Sequence, residues 1–153
     1  MKKTVMVLMS CCVAYASAET WNGTQGSAWN LAGNWDTLPS AGSALIFAGN
    51  KTTNVNDFAN GTPFSGIQFA AGASSFTLTG NAIAFAGPII NASANMQTLA
   101  LPLTLTDTLR LQSTNGNMTL AGVISGTGNI VCTGSTTSET LLTNANTFVG
   151  TVI

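Results

Sequence analysis

The pair Thr-Leu recurs at residues 77–78, 98–99, 119–120 and 140–141, three successive steps of 21 residues. A fixed step of this size marks a repeat unit that cannot bury its apolar face alone and does so by stacking on its neighbours. A second column keeps the same step: Ile67-Gln68-Phe69, Pro88-Ile89-Ile90, Leu109-Arg110-Leu111, Ile130-Val131-Cys132 and Thr151-Val152-Ile153, with Ile46-Phe47-Ala48 one step earlier. Side chains alternate faces along a strand. Turning the first and third residues of each triplet inward therefore stacks Ile67/Phe69, Ile90, Leu109/Leu111, Ile130/Cys132 and Ile153, and leaves Gln68, Arg110 and Val131 outside. A slip of one residue would bury Arg110 and expose the apolar pairs. In the first column Leu78, Leu99, Leu120 and Leu141 point inward beside Phe76 and Met118. Thr77, Thr98, Thr119 and Thr140 then form an outer ladder of hydroxyls.

Between these runs lie Gly49-Asn50, Asn60-Gly61, Gly80-Asn81, Asn115-Gly116 and Gly126-Thr127-Gly128, residues that turn a chain sharply. No long segment has the 3.6-residue period of a helix. The chain reads as all-β. Strands stacked in register at one turn per repeat describe a parallel β-helix, each coil adding about 4.8 Å. Residues 43–153 would supply about five coils with a period of about 21 residues. The alternative is a β-sandwich, which also shows turns at regular short spacing.

Composition narrows the chemistry. Only 6% of the 153 residues are charged and there is no histidine, which removes imidazole acid–base catalysis and imidazole metal sites. Four cations make no basic surface for nucleic acid. The first residues have the form of a secretory leader: Met1-Lys2-Lys3, an apolar stretch from Thr4 to Ala14, then Ala16-Ser17-Ala18 as an A-x-A signal. Cleavage between Ala18 and Glu19 divides the chain into a signal peptide (1–18), a Trp-rich entry or cap segment (19–42) and a repeat region (43–153). Leu8-Met9-Ser10-Cys11 offers a weaker, lipobox-like alternative with processing at Cys11. The mature part has no membrane-spanning stretch and keeps one thiol, Cys132, so no internal disulfide forms. It retains five acids against Lys51 and Arg110. The expected location is the periplasm, the cell surface or outer membrane, or the extracellular space.

From Thr20 onward the chain resembles the autotransporter-associated β-strand repeat proteins, secreted bacterial passenger-type β-helices. The resemblance lies in Trp21-Asn22-Gly23, Trp29, Gly33-Asn34-Trp35, Pro39 and Ala44-Leu45-Ile46-Phe47 at the entry. It continues in Thr119-Leu120-Ala121-Gly122-Val123-Ile124-Ser125-Gly126-Thr127-Gly128-Asn129-Ile130, and in the run Leu141 to Thr151. Asn144, Phe148 and Val149 depart from the family's usual Gly, Tyr and Thr. The resemblance implies a right-handed parallel β-helix and a structural or adhesive role without catalysis. It also implies a truncated or fragmentary member, because that family's chains are longer and often end in an outer-membrane barrel.

Candidate sites are few. Trp21, Trp29 and Trp35 crowd into fifteen residues; exposed, they would stack on sugars, and buried, they would close the end of the core. The second placement is expected, with a carbohydrate-binding module as the alternative, and Asp36 then serves the turn. Asp107 and Arg110 are isolated from other acids and fit a weak surface ion pair better than the remnant of a polysaccharide-processing enzyme. Cys132 falls at an inward position and lacks an activating base. No catalytic residue, cofactor or metal is expected. The expected partners are a second copy at the open β-helix end, or a glycan or host surface.

Overall fold

An apolar stripe on a strand of three to five residues finds cover only against other strands. In the computed structural model, which describes residues 17–153, it finds that cover on the coils before and after it. Residues 1–16, which hold most of the expected leader and Cys11, lie outside the described residues. Three sheets enclose one core. The first holds Ala18–Trp21, Ala44–Phe47, Gly66–Phe69, Pro88–Asn91, Leu109–Ser113 and Ile130–Gly134 in that spatial order. The second holds Val55–Asn56, Thr77–Gly80, Gln97–Leu99, Met118–Leu120 and Thr140–Leu142, and the third Thr62–Phe64, Ile83–Phe85, Leu103–Leu105 and Ile124–Gly126. From Ala44 onward the chain visits the sheets in the same cyclic order on each lap, and neighbouring strands in each sheet run parallel. The result is a β-solenoid of about six turns with a period of about 22 residues and, among the described residues, no α-helix. A single 3-10 turn spans Ala32–Asn34.

This is the expected parallel β-helix, with one turn more than the five expected of residues 43–153 and a period one residue longer. The sixth turn comes from the entry segment, whose strand Ala18–Trp21 pairs with Ala44–Phe47 and so forms a coil of its own. The period lengthens because strands keep their register while corners change length. Ile67 faces Ile89, and Ile89 faces Leu111, steps of 22, whereas Leu109 to Ile130 is a step of 21. Val55 to Thr79 is 24, and Ile83 to Leu103 is 20. On the first sheet the longer step puts Ile89 fully inside and leaves Ile90 half-buried on the outer face, the reverse of the expected assignment. In the last coil, one extra corner residue before Thr140 brings Leu142, not Leu141, over Leu120. Leu141 is 49% exposed and Thr140 leaves the outer ladder, which consists of Thr77, Thr98 and Thr119.

Elsewhere the inside–outside parity holds. Ile67, Phe69, Leu109, Leu111 and Ile130 are buried, and Gln68 and Arg110 are exposed. Phe47, Phe69 and Phe76 pack as a triangle with centroids 5.5–6.1 Å apart. Such offset aromatic contacts add to the area they bury. Cys132 shares Leu111's parity and yet is exposed, as is Ile153. Only the bridge from Ile130 to Val152 continues the first sheet beyond its last strand, so no described side chain stacks over Cys132.

Corners are held by asparagine. Asn60, Asn117, Asn129 and Asn146 each accept, through Oδ1, a backbone N–H from the adjoining coil at 2.9–3.0 Å. Loop amides that face no strand partner are satisfied in this way. At Gly126 the backbone enters the left-handed region (φ +90°), and a Cβ there would sit 2.3 Å from the Leu105 carbonyl oxygen. Glycine alone fits that approach without displacement.

Candidate functional site

The entry segment carries the largest side chains of the molecule, and the first coil gathers them at one end of the core. Trp21 comes from the first strand, Trp35 follows the 3-10 turn, and Trp29 lies between them. Trp21, Trp29 and Trp35 are 1%, 0% and 3% exposed. Trp35 meets Trp21 edge-on at 5.1 Å and Trp29 at 6.1 Å, and all three surround Phe47. Each indole N–H is donated inside the protein: Trp21 to the Lys51 carbonyl at 2.7 Å, Trp29 to Asn54 Oδ1 at 3.0 Å, and Trp35 to the Trp29 carbonyl at 2.7 Å. A buried indole with its donor satisfied is a packing element. The three rings pack into one end of the core and leave almost no surface to solvent.

Asp36 lies on the outer side of this cap. Its carboxylate accepts the backbone N–H of Thr20 at 2.7 Å and of Thr37 at 2.7 Å. The Thr20 amide holds the carboxyl below its ordinary range, against a smaller opposing effect of partial burial. Asp36 thus closes a turn onto the first strand. Beside the cap, Gly23, Gly26, Asn50, Lys51 and Thr52 line an open polar cleft of about 430 Å³. On the outside of the first sheet, Ala44, Ile46, Gly66 and Pro88 line a shallower apolar cleft of about 140 Å³.

The remaining candidates lie apart. Asp107 accepts the Thr108 backbone N–H at 2.6 Å, while Arg110 stands on the outer face between Pro88 and Val131. Glu139 belongs to a corner, where its N–H is donated to Asn117. The Cys132 thiol is pushed up by partial burial although its side chain reaches the surface. Among the described residues no three of Cys, Asp and Glu gather as metal ligands, and no helix is long and apolar enough to cross a membrane.

What reading the sequence missed is polar and internal. Asn91, Ser93 and Gln97 are fully buried at one corner. Gln97 accepts the Phe76 N–H through Oε1 at 2.8 Å and donates to Ser93 Oγ at 2.9 Å, while Asn91 donates to the carbonyls of Asn95 and Asn117 at 3.0 Å. Asn95 donates to the Ala73 carbonyl at 2.8 Å. The group staples three successive coils. Its only signal in the sequence is the run Asn91-Ala92-Ser93-Ala94-Asn95-Met96-Gln97, which reads equally well as a solvated loop. Compared with family models, curated proteins and solved structures, the chain finds no match.

Proposed function

We propose that this chain is a structural, non-catalytic segment of an exported β-solenoid, of the passenger type that its motifs resemble. The observation that carries the reading is the in-register outer ladder Thr77/Thr98/Thr119, flanked by Thr79, Ala100 and Ala121. Stacked coils set identical groups about 4.8 Å apart, so the face repeats one weak contact many times. Weak contacts gain strength by multiplicity rather than by any single pocket. The low charge of the chain supports the same role, since like charges at that spacing repel on every coil.

Self-association belongs to the proposal. The upper side of the last coil exposes Val149 (74%), Val152 (53%) and Ile153 (69%). Unpaired strand edges with apolar side chains invite another strand. Further coils, of a longer chain or of a second copy, would continue the ladders there. The burial of Trp21, Trp29 and Trp35 weighs against a sugar site built on those rings.

The test compares purified chain as single molecules and as a dense coat on beads, presented to bacterial and host-cell surfaces and to a panel of glycans. The expected result is retention of coated beads with no measurable binding of the single molecule, and recovery of the exported chain outside the cytoplasm. Tight one-to-one binding of a glycan, or turnover of any polysaccharide, would overturn the reading.

A further inference from the structure

The strand that opens the solenoid begins upstream of the expected processing point. Ala18 is paired with Ala44 in the first sheet, and the Ser17 carbonyl accepts the Ala44 N–H at 2.9 Å. The Ser17 hydroxyl donates to the Glu19 carboxylate. That carboxylate faces inward, with Glu19 only 5% exposed, and its other side-chain donor is the Ser43 hydroxyl at 3.4 Å. A carboxylate removed from water depends on the donors around it. Cleavage after Ala18 would discard the first residue pair of the ladder, one ladder hydrogen bond and the closest donor to Glu19.

The sequence holds a second triplet of the same kind. Ala14-Tyr15-Ala16 is also A-x-A and shares Ala16 with Ala16-Ser17-Ala18. It follows the run Val5 to Val13, whose length suits the apolar region of a leader, typically 7–15 residues. We propose that the leader is removed after Ala16, so that the mature chain starts at Ser17 and its first strand arrives whole. A leader peptidase adds water across the Ala16–Ser17 amide, leaving a carboxylate on Ala16 and an ammonium on Ser17. The new positive charge then sits on the residue whose hydroxyl already serves Glu19. Cutting two residues later would place that ammonium on the strand itself, at the amide that pairs Glu19 into the sheet.

The assignment rests on the reading of the chain as exported. It is tested by expressing the full chain in an exporting bacterial host and determining the N-terminus of the product by intact mass and N-terminal sequencing. The expected product begins at Ser17. A product beginning at Glu19 overturns this assignment alone, and one that keeps Met1 overturns the export reading with it. Ala18 is exposed, so Ala18→Gln tests the site without disturbing the core. Ala18→Gln is expected to leave the Ser17 start unchanged, and Ala14→Gln to abolish it; the opposite pattern overturns the proposal. Chains produced directly from Ser17 and from Glu19 give a second readout. The first is expected to melt at the higher temperature, and equal melting removes the structural ground for the assignment.

Discussion

The side-chain carbonyl of Gln97 accepts the backbone N–H of Phe76, one coil earlier, at 2.8 Å, and both residues are shut away from water. The bond adds a side-chain tie to the backbone pairing that begins there, where the Thr98 N–H donates to the Phe76 carbonyl at 3.0 Å. Gln97→Leu keeps the volume and removes the acceptor, leaving the Phe76 N–H without its partner. Orphaned buried groups cost about 1–3 kcal/mol each. The unfolding free energy is expected to fall by that amount, read as a lower urea midpoint with an unchanged m-value; an unchanged midpoint would show that the staple carries no stability.

The tryptophan cap has an optical signature. With Trp21, Trp29 and Trp35 at most 3% exposed, native emission is expected to be blue-shifted and inaccessible to iodide. It is expected to stay unchanged when oligosaccharides are added. Trp29→Ala empties the centre of the cap and should cost about 3–5 kcal/mol, read by thermal unfolding. Iodide quenching of the native protein would contradict the packing of the cap.

Two neighbours test the parity of the first sheet. Arg110 is exposed and Leu111 fully buried. Arg110→Leu is expected to change stability by no more than about 0.5 kcal/mol, the usual range for surface positions. Leu111→Arg places a charge among Ile89, Leu109 and Ile130 without a counter-charge and is expected to abolish cooperative folding. Circular dichroism on both variants decides it, and equal damage would contradict the assigned faces.

Asp36 contributes to acid sensitivity. Hydrogen bonds from Thr20 and Thr37 depress its carboxyl below the ordinary value of 3.8. A depressed acid stabilises the fold above its unfolded pKa, and that contribution is lost as pH falls through the folded value. The carboxylate is well exposed, so the effect stays below about 1 kcal/mol. Asp36→Asn is expected to flatten the melting temperature between pH 5 and pH 2 relative to the parent chain. A variant as acid-sensitive as the parent would remove Asp36 from this account.

Leu78, Leu99 and Leu120 and the threonines before them were legible because strand parity has only two values and the apolar residues choose one. Ile89 and Ile90 were not, because both are apolar and a constant step of 21 selects the wrong one. Corner length decides between them, and corners built of Gly, Ser and Asn carry no periodic signal. Leu141 and Leu142 fail for the same reason. The exposure of Cys132 depends on what stacks above it, which parity does not report. The burial of Asn91, Ser93 and Gln97 was hidden because polar residues between strands look alike whether they face water or staple coils. The tryptophans were the clearer case: three large rings within fifteen residues have one economical place to go.

The central claim is a stack of parallel coils in register, and distance growth along one column measures it most directly. Thr20, Ile46, Gln68, Ile90, Gln112 and Thr133 succeed one another across the first sheet. Nitroxide labels on cysteines placed at Thr133 and, in turn, at Gln68, Ile46 and Thr20, with Cys132 replaced by serine, span three, four and five coils. Pulsed electron resonance is expected to give separations near 14, 19 and 24 Å, rising by about 4.8 Å per coil. Separations that do not increase with the number of coils between the labels would contradict the solenoid.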